Sequence, residues 1–313
     1  MDNTPDKDSA QKPTKSAGIL LITLAAYVVG GILLFSLLAQ GAIMLFFGFD
    51  LTESVALMNN PESVENSKYA LMLMQAITSI GAFILIPLLF IKFNDGEGFA
   101  KFFKLPDDSL RPTLMTVVIL FCFMVANSIV IEWNQHLVLP EVLSAFESWA
   151  QAKEAQLKEL TEYLTTFSGI HEFLIALVVI ALVPAIGEEL LFRGLIQKLF
   201  GKLTNNAHLA IWISAVIFGV FHFQFYGVVP RIFLGALFGY LFYWSGYLSL
   251  AMVGHFINNA LTLTLVYFSQ IKFIDYDLAA DESSPPIYIV VLFFTAGAIL
   301  LYLFRKLFSL KNA

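Results

Sequence analysis

Two adjacent glutamates, Glu188 and Glu189, lie in the stretch Val183-Pro184-Ala185-Ile186-Gly187-Glu188-Glu189-Leu190-Leu191-Phe192-Arg193-Gly194, which is otherwise almost wholly apolar. An ionisable side chain within a membrane-spanning segment is costly, so it marks a functional site by default. Two further polar groups follow in apolar surroundings: His222 in Phe218-Gly219-Val220-Phe221-His222, and His255 with Asn259 in His255-Phe256-Ile257-Asn258-Asn259. On a helix, residues four apart share a face. Glu189 and Arg193 have that spacing, glutamate first, which is the favourable order for an ion pair. The neighbouring Glu188 points elsewhere and has no local partner. Glu189 and Arg193 are therefore read as positioning residues and Glu188 as the chemical one. His255 and Asn259 share a face and can present two donors to one point, and Phe218 shares a face with His222 and can wall the site against water.

Peptide hydrolysis needs a base to activate water, an acid for the leaving amine and donors for the developing oxyanion. Glu188 with His222 can serve the first need, and His255 with Asn259 the last. Alternatively, Glu188, His222 and His255 can ligate one Zn2+, leaving a fourth position for a water whose pKa falls to about 7. No His-Glu-x-x-His and no Gly-x-Ser-x-Gly is present. The single cysteine, Cys122, lies in an apolar span outside any Cys–His motif and cannot form an internal disulfide.

The elements that must position these residues are membrane helices. The 313-residue chain is 58% apolar and 13% charged, a composition of polytopic membrane proteins. A spanning helix needs about 20 mostly apolar residues. Eight candidates meet that requirement, at 17–48, 69–91, 113–131, 172–192, 208–226, 231–247, 249–269 and 286–304. The fold class predicted is thus all-α, a polytopic bundle of about eight transmembrane helices, and the first apolar run reads as a retained helix. With eight spans, Lys68, Lys153, Lys158, Arg231 and Lys272 fall on one side, leaving 13 of the 18 Lys and Arg residues on the side of the termini. The positive-inside rule then makes both termini cytoplasmic. The basic residues form no face for phosphate contacts, which excludes a nucleic-acid partner. Membrane lipids are the expected surroundings.

The chain divides into a polar tail at 1–16, expected to be disordered, N-terminal spans and a polar loop at 17–171, a core at 172–270 holding all the candidate residues, and a last span with its tail at 271–313. Within the loop, Leu143, Phe146, Trp149, Leu157, Leu160, Leu164 and Phe167 recur at helical steps, the pattern of an amphipathic helix lying on the bilayer or bundle.

Glu188-Glu189-x-x-x-Arg193, Phe218-x-x-x-His222 and His255-x-x-x-Asn259, in that order and each in an apolar segment, resemble the CPBP (Abi) family of intramembrane proteases, which includes the type II CAAX-prenyl endopeptidases. The resemblance implies a site within the membrane, open toward the cytoplasm. It implies that Glu188 and His222 activate water, that His255 and Asn259 stabilise the oxyanion, and that Glu189 and Arg193 support them. Metal-dependent and metal-free mechanisms are both argued for the family. Its eukaryotic branch acts on prenylated proteins, and its bacterial members, with which this chain is grouped, are linked with peptide processing and bacteriocin immunity. The expected activity is endoproteolysis of a membrane-associated or lipid-modified protein or peptide in a bacterial cell membrane. The alternatives are an idle scaffold or immunity factor of the same fold, and a transporter with an acid–histidine proton relay. The intact motif set argues against the first, and the lack of repeated halves against the second.

Counting depth from the ends of the candidate spans leaves Glu188 and His222 about 10 Å apart along the membrane normal, a mismatch the fold must resolve. The orientation is testable by itself. In a Cys122→Ser background, single cysteines at positions 9 and 148 should react with an impermeant thiol reagent from opposite sides of the membrane. Labelling of both from one side would refute the assigned topology.

Overall fold

The computed structural model describes residues 16–95, 99–274 and 283–309, and all regular structure in them is helical. The tail expected to be disordered lies outside the described residues, except for Ser16, whose hydroxyl caps the first helix by accepting from the Ile19 amide. In chain order the helices are α1 (Ala17–Phe47), α2 (Leu51–Asn59), α3 (Ser67–Asn94), α4 (Leu110–Gln135), α5 (Ser144–Thr165), α6 (Ile170–Thr204), α7 (Ala207–Phe221), α8 (Val228–Ser245), α9 (Leu248–Gln270) and α10 (Ile287–Ser309). Seven of them are long and apolar enough to cross a membrane: α1, α3, α4, α6, α8 with its leading turn, α9 and α10. Exposed Leu, Ile and Phe side chains on α1 and α10, such as Leu37, Leu45, Leu292 and Phe294, give the bundle the outer surface of a lipid-embedded protein. The protein is an all-α integral membrane bundle.

The candidate span missing from these seven is the fifth, 208–226, which is α7. It has 15 residues, about 22 Å of helix, against a hydrocarbon core of about 30 Å. It stops because Phe223 takes a left-handed backbone (φ 54°) and a 3-10 turn, Phe225–Gly227, leads into α8. α7 and α8 form an antiparallel hairpin whose two ends lie together, shown at that end by His208 against Tyr240 and Tyr243. A hairpin returns the chain to the side from which it entered, so the even parity of an eight-span reading is kept however deeply α7 penetrates.

The same logic fixes the α6–α7 register. α6 does not end near residue 192; it continues through a π-helical turn, Phe192–Gln197, to Thr204. Asn205, left-handed (φ 51°), and Asn206, whose side chain accepts from the Leu209 amide, make the tight reversal. From this turn the helices run side by side. Gly201 faces Ala210, the Ser214 hydroxyl donates to the Phe192 carbonyl at 2.9 Å, and the Phe192 ring meets those of Phe218 and Phe221. Glu188 and His222 stand at nearly equal distances from the turn, on opposite arms. The depth mismatch expected from the sequence disappears because it measured from the wrong end of α6.

α8 approaches α6 and α7 closely through Gly235 and Gly239, a small-xxx-small pair of the kind that lets membrane helices touch backbone to backbone. A methyl group on Gly235 would stand 3.2 Å from Ala215 Cα, and one on Gly239 2.9 Å from Ile211 Cγ2 and 2.8 Å from Gln197 Oε1. The bared carbonyls are used: Arg193 Nη2 donates to Gly235 O at 2.9 Å and Gln197 Nε2 to Gly239 O at 3.2 Å.

At the opposite end of the bundle from the α6–α7 turn lies α5, the expected amphipathic helix. Its C-terminal part is anchored by Leu164, packed with Met72, Phe173 and Leu263, and by Gln270, which donates to Thr165 O at 2.9 Å and accepts from the Phe167 amide at 2.8 Å. Its N-terminal part stays largely exposed, with Phe146 edge-on to Phe225.

Gly239→Leu should force α8 away from α7 and break the Gln197 contact. Overpacking typically costs about 1–3 kcal/mol, so a clear fall in the thermal midpoint of the detergent-solubilised protein is expected. An unchanged midpoint would show that the close approach does not stabilise the bundle.

Candidate active site

Glu188 and Glu189 occupy the middle of α6, with a π-helical turn on either side, Leu177–Leu182 and Phe192–Gln197. Such turns are frequent at functional sites. Pro184 bears on the first of them. It has no N–H, so the Ile180 carbonyl, one helical turn earlier, loses its normal partner. Asn259 Nδ2 on α9 reaches that carbonyl at 3.5 Å, and Asn259 Oδ1 accepts from Asn258 Nδ2 at 3.1 Å.

The centre of the site is a wholly buried ion pair. Arg193 Nη1 donates to Glu189 Oε1 at 2.7 Å, and neither side chain has any exposed surface. The Arg193 guanidinium sits 4.5 Å from the Phe218 ring centroid and 5.5 Å from that of Phe238. These aromatic faces and the Gly235 carbonyl replace its water. The same carboxylate oxygen, Glu189 Oε1, accepts a second hydrogen bond, from His255 Nδ1 at 2.8 Å. His255 is nearly parallel to Phe238, with ring centroids 5.2 Å apart, and edge-on to Phe218. Ring position and tautomer follow together: with the Nδ1 proton engaged by a carboxylate, Nε2 carries the lone pair.

His222 is prepared in the same manner from the other side. Its Nδ1 donates to the Phe218 carbonyl at 2.8 Å, one turn back on α7, and its ring lies against that of Phe218. Both Nε2 atoms then meet a single atom. Glu188 Oε2 is 3.9 Å from His222 Nε2 and 3.9 Å from His255 Nε2, and it is buried without a hydrogen-bond partner. At 3.9 Å these are not hydrogen bonds. Among the described residues no three His, Cys, Asp or Glu side chains are gathered closely enough to hold a metal ion.

Glu188, Glu189, Arg193, Phe218, His222 and His255 are thus brought together. The hydrogen bonds of Asn259 run instead to Ile180 and Asn258, one turn along α9 from His255. Sequence reasoning missed Gln197, Gly235, Gly239 and Phe238, which surround the pair. The Gly-x-x-x-Gly spacing of 235–239 in an apolar segment was the available signal. It also missed Arg231 on α8, close enough to act electrostatically on Glu188.

Two cavities lie at the two ends of the bundle, and neither is lined by Glu188, His222 or His255. One, of about 440 Å³, lies at the α6–α7 turn end and is lined by Lys101, Phe102, Gln197, Lys198 and Phe242. The other, of about 1470 Å³, lies under α5 at the opposite end, between α4, α5, α9 and the α7–α8 loop, and includes Gln224 and Arg231; the assigned topology puts this end outside the cytoplasm, whereas the resemblance implied an opening toward the cytoplasm.

Residues 170–261 match the family model for type II CAAX prenyl endopeptidase Rce1-like proteins. The resemblance read from the three motifs holds over this segment, which contains every candidate residue. A curated relative, Uncharacterized protein YpbD of Bacillus subtilis (strain 168), is 24% identical over 131 residues, covering 39% of this chain and 65% of the relative. The match therefore spans less than two thirds of the relative's length. No solved structure matches the chain significantly.

Removing one partner of a buried pair typically costs about 3–5 kcal/mol, because the other charge is left uncompensated. Glu189→Gln and Arg193→Met should therefore each lower the thermal midpoint in detergent far more than Glu188→Gln, whose carboxylate has no such partner. Equal midpoints for Glu188→Gln and Glu189→Gln would remove the distinction between the two glutamates.

Proposed function

We propose, from the match of residues 170–261 to the CAAX prenyl endopeptidase family together with the geometry around Glu188, that this protein is an intramembrane endopeptidase. The observation that carries the reading is the buried, unpartnered Glu188 Oε2, 3.9 Å from the Nε2 atoms of both His222 and His255. A carboxylate oxygen in that position can accept a proton from a water held beside it, and the two imidazole lone pairs can orient that water.

In this reading the water oxygen adds to the scissile carbonyl carbon while its proton passes to Glu188. The carbonyl π electrons move to oxygen, and the oxyanion is stabilised by Asn259, joined by His255 only once its Nε2 carries a proton. For Asn259 this requires exchanging its long bond to Ile180 O for one to substrate. The proton on Glu188 then passes to the amide nitrogen, the C–N bond breaks and the amine leaves. Glu189 and Arg193 touch no reacting atom; they hold His255 in position.

The donor chemistry also fits Zn2+. Two imidazole Nε2 atoms and a carboxylate are ordinary zinc ligands, and the Nδ1 bonds of His255 to Glu189 and of His222 to Phe218 O are the outer contacts such ligands make. Glu188, His222 and His255 would hold the ion only by drawing closer together than they stand here, and the ion, when bound, would act as a Lewis acid and lower the pKa of its water.

The substrate proposed is a membrane-associated or lipid-modified protein or peptide. A site at mid-height in a lipid-embedded bundle receives a peptide bond most readily when the substrate is itself anchored in the bilayer. Both termini are read as cytoplasmic, which the basic-residue asymmetry of the loops supports, and the bacterial cell membrane is read from the family resemblance.

Glu188→Gln should lower cleavage of a lipid-anchored reporter peptide by roughly 10²–10⁴-fold, the usual contribution of a positioned base, while leaving the thermal midpoint near that of the parent. Full activity in that variant would end the assignment. Elemental analysis of purified wild type and His222→Ala decides the zinc question separately: equal metal content in the two would exclude His222 as a ligand.

A further inference from the structure

The α5 end of the molecule holds a polar cluster that the proposed reaction does not use. Glu154, on α5, turns its carboxylate toward the α7–α8 loop, where it accepts from Gln224 Nε2 at 3.3 Å and from the Tyr226 backbone amide at 3.3 Å. Arg231 Nη2 donates to Gln224 Oε1, which orients the Gln224 amide so that its N–H faces Glu154. Arg231 also attracts the Glu154 and Glu188 carboxylates electrostatically. Glu154, Gln224, Tyr226 and Arg231 all line the cavity of about 1470 Å³. A ligand pocket for a small molecule is usually about 300–1,000 Å³, so this one has room for a peptide segment.

Three features make the arrangement a binding site with an internal occupant. The donors are those that recognise a carboxylate: a backbone N–H, a side-chain amide and a guanidinium. Both hydrogen bonds to Glu154 are longer than the usual range of about 2.7–3.2 Å, so the occupant is weakly held. The helix that brings it is exposed along most of its length and is joined to the loop by little else, namely the 3.4 Å contact of Gln151 with Tyr226 and the Phe146–Phe225 edge contact. The site is also well placed, because Gln224 is two residues beyond His222.

We infer that Gln224, the Tyr226 amide and Arg231 form a carboxylate-binding subsite for the peptide substrate, and that Glu154 of α5 fills it until substrate arrives. A substrate carboxylate, either the free C-terminus or an acidic side chain near the scissile bond, replaces Glu154 and releases the N-terminal part of α5 from the loop. The inference rests on the proteolytic reading, of which it names the substrate chemistry.

The test uses the full-length Glu188→Gln protein in lipid nanodiscs, so that binding is measured without turnover. Three dansylated hexapeptides are titrated: an uncharged sequence with a free C-terminus, the same sequence as its amide, and the amide with one interior glutamate. One or both carboxylate peptides should bind roughly tenfold tighter than the plain amide, and which of them does so identifies the source of the carboxylate. Adding Glu154→Gln should tighten only the carboxylate peptides. Adding Arg231→Gln should erase their advantage, and Gln224→Leu should reduce it should Arg231→Gln fail to fold. Equal affinity of all three peptides would overturn the subsite, as would carboxylate binding that is unchanged or weakened by Glu154→Gln. Cleavage by the wild-type protein is scored independently. A carboxylate preference without any cleavage keeps the subsite and defeats the proteolytic reading, whereas cleavage without a carboxylate preference does the reverse.

Discussion

The buried Glu189–Arg193 pair is the constraint on which the site depends. Two full charges with no exposed surface persist in an apolar bundle only where strong partners offset their burial, and here Glu189 Oε1 and both Arg193 Nη atoms have them while Glu189 Oε2 and Arg193 Nε do not. Beyond the pair itself, the partners come from three other helices. α8 contributes the Gly235 carbonyl and the Phe238 ring, α7 the Phe218 ring, and α9 the His255 Nδ1 proton. Satisfying this one pair therefore fixes how α6, α7, α8 and α9 lie together. The glycines of α8 belong to the same requirement, since a side chain at 235 would stand 3.1 Å from Arg193 Nη2. His255 is positioned as a by-product of neutralising Arg193, because the oxygen that receives the guanidinium also receives the imidazole.

Glu188 differs from its neighbour in what faces it rather than in being left unbonded. Glu189 takes two hydrogen bonds on Oε1 and none on Oε2, whereas Glu188 Oε2 is buried without a hydrogen-bond partner and has two imidazole nitrogens facing it at 3.9 Å. An orphaned buried acceptor is costly and calls for an explanation, such as a reactive role or a group that completes it. The two Nδ1 bonds, to Glu189 and to Phe218 O, turn both lone pairs toward the same oxygen. A structural role for Glu188 would have been met by one donor. Two acceptors aimed at a third acceptor make sense only around something that can bridge them, a water or a cation.

Much of this was legible in the sequence, and the limits have physical causes. The i,i+4 spacing predicted the Glu189–Arg193 pair, and it also left Glu188 without a partner. The motif resemblance implied the meeting of Glu188 with His222 and His255. The depth of the site was misjudged because hydropathy counts Arg193, Lys198 and Lys202 as the end of a span. Burial is invisible to that count: Arg193 is hidden by Glu189 and two aromatic rings, so α6 continues to Thr204. Measured from the Asn205–Asn206 reversal, Glu188 and His222 sit level, and no tilt is needed. The environment of Asn259 was partly readable. Pro184 has no N–H to give to a carbonyl in the turn before it, and a nearby amide is a natural group to meet such a carbonyl, as Asn259 meets that of Ile180. What could not be read was which helix would supply that amide, since only tertiary packing brings α9 there.

The firmness of the centre contrasts with the covering of the α5 end. Around Arg193 the ion-pair and hydrogen-bond distances are 2.7–2.9 Å. Over the large cavity, Glu154 and Gln151 of α5 touch the α7–α8 loop at 3.3–3.4 Å. The difference tracks what each region must do. Groups that orient a proton acceptor gain from being fixed before substrate arrives, since any later rearrangement raises the barrier. On the proposed reading, a wall that admits a peptide gains from contacts that substrate can outcompete. The loop 222–231 joins the two regimes, beginning at His222 against the rigid core and ending at Arg231 in the cavity. Motion of α5 can therefore open the cavity at one end of this loop, while the Nδ1 bond to Phe218 O keeps His222 aimed at Glu188 at the other.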